Sequence, residues 1–187
     1  MPKLLTQETA SGKTDAPSPE LDFADLFRSY YRRVYNYLLY RVATKEDAED
    51  LISVVFEKAY VHRDQYDSAK GAFSTWLFRI ARNTLANYYR THQRRSAWEA
   101  ESEVTDDFVA AEPQLETQII QQETVIKLLN GVKQLNERDQ EIISLKFAGR
   151  LSNDEIGQVM DMTANNVGVV LFRALRRLQK QLQEQAS

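Results

Sequence analysis

The sequence predicts an all-α protein: two small helical domains joined by an acidic flexible linker, the second containing a helix-turn-helix. Three observations support that. Apolar residues recur at helical spacing along most of the chain, without alternating β-branched runs, and 187 residues include only six glycines and four prolines. Residues 96–118 hold seven acids, no base and no periodicity, and so split the pattern in two. Near the C-terminal end a short helical stretch, a tight turn and a longer helical stretch follow one another.

Taken in order, residues 1–22 are rich in Thr, Ser and Pro and read as a disordered tail. Asp22 to Val42 reads as the first helix, with Leu26, Phe27, Tyr30, Val34, Tyr37, Leu38 and Arg41 in one stripe. Thr44 and Asp47 have the spacing of an N-cap and its N3 acid, and Ala48, Leu51, Ile52, Val55, Phe56 and Ala59 form the apolar face of the helix that follows. Val54 beside Asp50 falls off that face, which suits a partner surface. A loop runs from His62 to Ala72, after which Ser74 or Thr75 can cap the next helix.

The stretch from Gly71 to Arg95 has two faces. Leu77, Ile80, Ala81, Thr84, Leu85 and Tyr88 share one, and Arg79, Arg82, Asn83, Ala86, Asn87 and Arg90 share another. The aromatics Trp76, Phe78, Tyr88 and Tyr89 sit around them, and residues 71–95 contain no acid. Guanidinium forks bind phosphates, amides read base edges and rings stack on unpaired bases. By itself such a helix is equally well a solvated basic surface.

Residues 96–114 form the linker, and helix resumes over 115–135 and again from Asn136, with Gly149 suited to a helix C′ position. Ser152 and Glu155 make a capping box opening a helix to Met160, in which Gly157 suits a close helix crossing. Asp161 to Thr163 form the turn, and Thr163 caps a helix with Val167, Val170, Leu171, Ala174 and Leu178 inward. That geometry sends a second helix into the major groove, although a plain helical hairpin fits the same pattern.

Composition narrows the function. With no cysteine, disulfides and thiolate metal sites are excluded, which fits a reducing cytoplasm. No signal peptide or apolar run long enough to cross a bilayer is evident, so no membrane insertion is expected. No His or carboxylate cluster has metal-ligand spacing, so neither a metal, a cofactor nor an enzyme such as a nuclease is expected. The formal net charge of -3 hides a segregated field: residues 28–95 carry thirteen bases against seven acids. A nucleic-acid surface and a free-standing helix-turn-helix regulator are both compatible with that field.

Three motifs in this order, DAEDLISVVFEKAY from Asp47, FSTWLFRIARN from Phe73 and LSNDEIGQVMDMTANNVGVVLFRALRRL from Leu151, resemble those of bacterial RNA polymerase sigma factors of the extracytoplasmic-function (ECF) group. The resemblance covers about Phe23 to Gln183. It implies a region 2 domain over 23–95, a linker over 96–114 and a region 4 domain over 115–187. It further implies that Asp47, Asp50, Leu51, Ser53, Val54 and Phe56 dock on the polymerase β′ subunit. Tyr66, Phe73, Trp76, Arg79, Arg82, Asn83, Asn87 and Arg90 would take and melt the -10 element. Thr163, Asn165, Asn166, Gly168, Val169, Val170, Arg173 and Arg176 would read the -35 element. The implied partners are core RNA polymerase (β′ and β subunits), promoter DNA and an anti-sigma factor.

Two departures stand out. Ser53 and Val54 replace the Gln-Glu usual in the family, and Gly168, Val169 and Val170 stand where cations and a small polar residue are common. The second departure implies weaker or altered -35 readout and more reliance on the first domain.

Overall fold

The computed structural model describes residues 23–96 and 127–185; the expected tail, the linker beyond Ser96 and the helix expected over 115–126 lie outside the described residues. Among the described residues every regular element is helical. The first unit holds α1 (Phe23–Leu39), α2 (Lys45–Val61), a 3₁₀ turn (Arg63–Gln65) and α3 (Phe73–Ser96). The second holds α4 (residues 127–133), α5 (Glu137–Ile143), a π-helical segment (Ser144–Ala148), α6 (Asn153–Met160) and α7 (Ala164–Gln185).

Local chemistry sets the starts of these helices. Thr44 Oγ1 accepts from Asp47 N at 3.1 Å to open α2, and Asn136 Oδ1 accepts from Asp139 N at 3.0 Å to open α5. Ser152 and Glu155 form a reciprocal capping box on α6. The start of α3 differs from expectation. Ser74 and Thr75 both lie inside the helix and both are buried, so neither serves as its cap.

Gly149 also differs. Its φ of -71° is ordinary, and Arg150 takes the left-handed conformation instead, with φ 52°. Glycine is needed there for space: a Cβ would lie 2.7 Å from Leu145 O and 2.9 Å from the Phe78 ring. Gly157 likewise serves the turn rather than a helix crossing, since its Cβ would lie 2.5 Å from Met162 O.

In the first unit α2 packs against both α1 and α3; in the second, α5 and α6 both pack against α7. Arg177 ties α7 to α5 through Asp139, whose side chain is only 2% exposed, at 2.6 Å. A buried carboxylate requires such a partner, so this cation serves the fold and is not free for phosphate.

The two units do not stand apart. α3 packs on α6 and α1 on the π-helical segment, and the buried apolar residues of both units form one continuous core. Phe78 lies at the join, fully buried, with its ring edge-on to Tyr37 at 5.6 Å and against Gly149. It is therefore a core residue, not a stacking platform.

Beside it lies a buried polar cluster. Tyr37 OH donates to Glu141 Oε1 at 2.6 Å, and Arg41 Nη1 donates to Glu141 Oε2 at 2.9 Å. Burial, reinforced by the neighbouring carboxylate, pushes the Tyr37 phenol well up, so it stays a neutral donor. Burial opposes the Arg41 charge, but Glu141 outweighs it and holds the guanidinium charged.

Candidate nucleic-acid and polymerase interface

Helical periodicity places the two faces of α3 as the sequence implies. Leu77, Ala81, Thr84 and Leu85 are buried, whereas Arg79, Asn83, Asn87 and Arg90 are exposed and Arg82 is half-buried. Arg90 donates to Asn87 Oδ1 along this face. The side chains of Arg94 and Arg95 lie outside those described.

At its N-terminal end α3 meets the 62–72 loop in an aromatic box. Phe73 sits 5.4 Å from Tyr30, 5.3 Å from Tyr66 and 5.4 Å from Trp76, ring centre to ring centre. Phe73 is buried at the back of this box and is not a surface contact, which corrects its expected role at the -10 site. Tyr66 and Trp76 are half-buried and line a cavity of about 210 Å³ together with Lys70, Thr75, Arg79 and Gln158.

Two lining residues escaped the sequence reading. Thr75 Oγ1 is buried and has no hydrogen-bond partner among the described residues, an arrangement that costs stability unless a ligand supplies one. Gln158 comes from α6 of the second unit, with its Oε1 3.2 Å from where a Cβ on Gly71 would be. The Thr75 signal was present in the sequence, as a hydroxyl one turn before an arginine on the same helix. Nothing in the sequence announces Gln158.

On α2, Asp50, Ser53 and Val54 are exposed as the docking reading requires. Leu51 and Phe56 are buried, because they lie on the helix's core stripe; they shape the surface without forming it. Asp47 is also occupied, its carboxylate accepting from Thr44 Oγ1 at 2.7 Å. Burial first, and then a hydrogen bond with Asp47, push the Tyr88 phenol up.

The surface is larger than α2 alone. Phe27 and Tyr31 of α1 are exposed and lean on the Phe56 ring at 4.6 and 6.2 Å, which adds aromatic surface next to α2, a helix whose Glu49, Asp50 and Glu57 are exposed. Exposed aromatics with a charged rim are typical of a protein-binding surface. The sequence assigned Phe27 to the core because a wide helical stripe does not show where the covering layer ends.

The helix-turn-helix forms as the sequence implies. Asp161 is left-handed (φ 56°, ψ 50°), Met162 N donates to Gly157 O at 2.8 Å, and Thr163 Oγ1 accepts from Asn166 N at 3.2 Å to start α7. Val167, Leu171, Ala174 and Leu178 are buried beneath it. Thr163, Asn165, Asn166, Val169, Arg173 and Arg176 are exposed on the outer face, while Gly168 and Val170 are half-buried and recede from it. Phe172, which the sequence did not single out, is 62% exposed on that face, with the Arg176 guanidinium 5.5 Å from its ring centre.

Among the described residues no group of three His, Asp or Glu could hold a metal, and no helix is long and apolar enough to cross a membrane.

Comparison with known proteins matches this arrangement. Residues 26–95 match the Sigma-70 region 2 family and residues 126–178 the Sigma-70, region 4 family. The chain is 31% identical over 156 residues to the ECF RNA polymerase sigma factor SigM of Bacillus subtilis, covering 82% of this chain and 91% of that protein. It is 27% identical over 190 residues to SigW of the same bacterium, covering 98% of each. Its fold is that of the sigma factor RpoE from Bartonella quintana, solved with the anti-sigma factor NepR: the TM-score is 0.71 at 20% identity, over 87% of this chain and 97% of that one. Two sigma-70 regions in order, joined to a SigM-like sequence over most of its length, place the chain in the sigma-70 family of RNA polymerase sigma factors, as a member of its ECF group that directs polymerase to promoters.

Proposed function

We propose a division of labour among three surfaces. The α1–α2 surface, with exposed Asp50, Ser53 and Val54 on α2 and exposed Phe27 and Tyr31 on α1, docks on the β′ subunit of core polymerase. The 23–95 unit captures the opened -10 strand, with phosphates on Arg79, Arg82 and Arg90, bases on Asn83 and Asn87, and one flipped base in the cavity lined by Tyr66 and Trp76. The 115–187 unit reads the -35 element through Thr163, Asn165, Asn166, Val169, Arg173 and Arg176. No residue is assigned a catalytic role, and the reading places the protein with the polymerase in the cytoplasm. An anti-sigma factor holds it inactive, as NepR is bound to the structural relative.

The observation that carries this reading is the Thr75 hydroxyl, buried and unpartnered in an aromatic pocket beside an arginine, on a helix with a cationic outer face. The test is run-off transcription with core polymerase on a promoter library, followed by base changes in each element. Defined start sites are expected, with -10 changes costing more than -35 changes because the -35 face lacks cations at Gly168, Val169 and Val170. Equal losses would overturn that ranking. Absence of any defined start, or strong duplex footprints without polymerase, would favour a free-standing helix-turn-helix regulator.

Asp50→Lys is expected to weaken binding to core by at least roughly tenfold, since a like charge placed in a complementary interface is strongly penalised. Helicity should not change, because Asp50 is exposed. Undiminished pull-down of core would remove Asp50 from the docking surface.

A further inference from the structure

We propose that Lys146, held by Asn153 beside the gap at Gly168, gives the -35 surface a DNA-phosphate contact that the start of α7 does not supply. This rests on the -35 reading given above and adds a residue from outside the recognition helix. Residues 164–172 of α7 contain no cation. The first is Arg173, roughly two and a half turns into the helix. Of those that follow, Arg176 lies over the Phe172 ring and Arg177 is bound to Asp139. Yet the N-terminal part of a recognition helix is the part that meets the bases, with phosphates on either side of it.

The geometry around Gly168 shows where a cation stands instead. Gly168 is half-buried, and a Cβ there would meet Asn153 Nδ2 alone, at 3.6 Å. Asn153 opens α6, and its Oδ1 accepts from Lys146 Nζ at 2.9 Å. An ammonium can only donate, so the amide oxygen faces Lys146 and the amide nitrogen faces α7. The π-helical segment brings the lysine there. Gly149 N donates to Ser144 O at 2.9 Å across five residues, and the widened turn carries Lys146 to α6. A glycine at 168 leaves the space beside this pair open, where a long side chain would fill it.

The pair has the chemistry of a phosphate contact. An ammonium has three donors, and Lys146 uses one of them on Asn153. Among the described residues no carboxylate is ion-paired with it. Of the acids on the first turn of α6, Glu155 is engaged by Ser152 N and the Ser74 hydroxyl, and Asp154 is exposed. The first helix of a helix-turn-helix crosses the DNA backbone, and Asn153 stands at its start. A lysine fixed there acts on phosphate as a point charge. Phosphate contacts position a protein without reading sequence, so Lys146 strengthens -35 binding without making it more selective. The expected ranking of -10 over -35 base changes is therefore unaltered.

The test uses holoenzyme assembled from core polymerase and the full chain. Its probe is a fluorescein-labelled duplex from a promoter found by run-off, kept cold so that it stays closed. Anisotropy titrations at rising potassium chloride give the slope of affinity against salt. Lys146→Gln keeps a donor for Asn153 and removes the charge. Its slope is expected to be shallower by about 0.9, so that the wild-type advantage shrinks roughly threefold between about 50 and 200 mM salt. Penalties for -35 base changes should be the same in both proteins. On a duplex that ends downstream of the -35 element, the two should coincide. Adding Gly168→Arg to Lys146→Gln should restore the slope, since the position accepts a Cβ at an ordinary contact distance and an arginine there enters the same space.

A Lys146→Gln slope parallel to wild type, an equal loss on the shortened duplex, or no recovery with Gly168→Arg overturns the Lys146 contact while the -35 reading stands. If shortening the duplex leaves wild-type binding unchanged, the -35 reading itself fails.

Discussion

Trp76→Ala is expected to cut open-complex formation by roughly five- to 150-fold, the range corresponding to loss of one base-stacking platform of about 1–3 kcal/mol. The loss should appear only on promoters with an intact -10 element. When the stacked base is altered, wild type and variant should converge, because an interaction already absent cannot be lost twice. Trp76 also leans on Tyr66 and Phe73, so some stability will go with it. Thr75→Val separates the two effects. Valine matches threonine in shape and removes a buried hydroxyl with no partner, so stability should rise by about 1 kcal/mol or more while promoter opening falls. Parallel melting curves and potassium-permanganate footprints on the same promoter check both directions. A stabilised variant with undiminished opening would show that the hydroxyl meets no base.

The second large effect lies at the turn of the helix-turn-helix. Gly157→Val is expected to destabilise the second unit by about 3 kcal/mol or more, toward the upper end of overpacking costs. The first added carbon meets a backbone oxygen, Met162 O at 2.5 Å, and a backbone oxygen cannot rotate away as a side chain can. The turn also depends on the Met162 N to Gly157 O hydrogen bond, so moving one atom moves α7. Sensitivity to -35 base changes should vanish while binding to core through α2 persists. Gly168→Ala is the control, since a Cβ there meets only the Asn153 side chain at a comfortable 3.6 Å. Equal behaviour of the two variants in thermal unfolding would refute the steric account.

Both sites show what one-dimensional reading captures. The faces of α3 and α7, the caps at Thr44, Asn136 and Ser152 and the left-handed Asp161 are set by residues within one helical turn of each other. Periodicity and capping chemistry are therefore enough to find them, and the motif order that marks the family is equally local. Errors arose where a residue's neighbour is distant. Phe78 looked like a stacking ring and Gly149 like a C′ residue; instead the two pack against one another across the join, and Phe78 also meets Tyr37.

The sequence by itself determined the helices, the two units, the cationic and apolar faces and the kinship with sigma factors. Only the tertiary structure decided that the units close on one another, that Arg41 in an apolar stripe is answered by Glu141, and that Gln158 walls the pocket holding Thr75. The physical reason is separation along the chain. The hydrogen bonds across the join link positions from 77 to 117 residues apart, and no periodicity along a helix encodes which face of another will cover it.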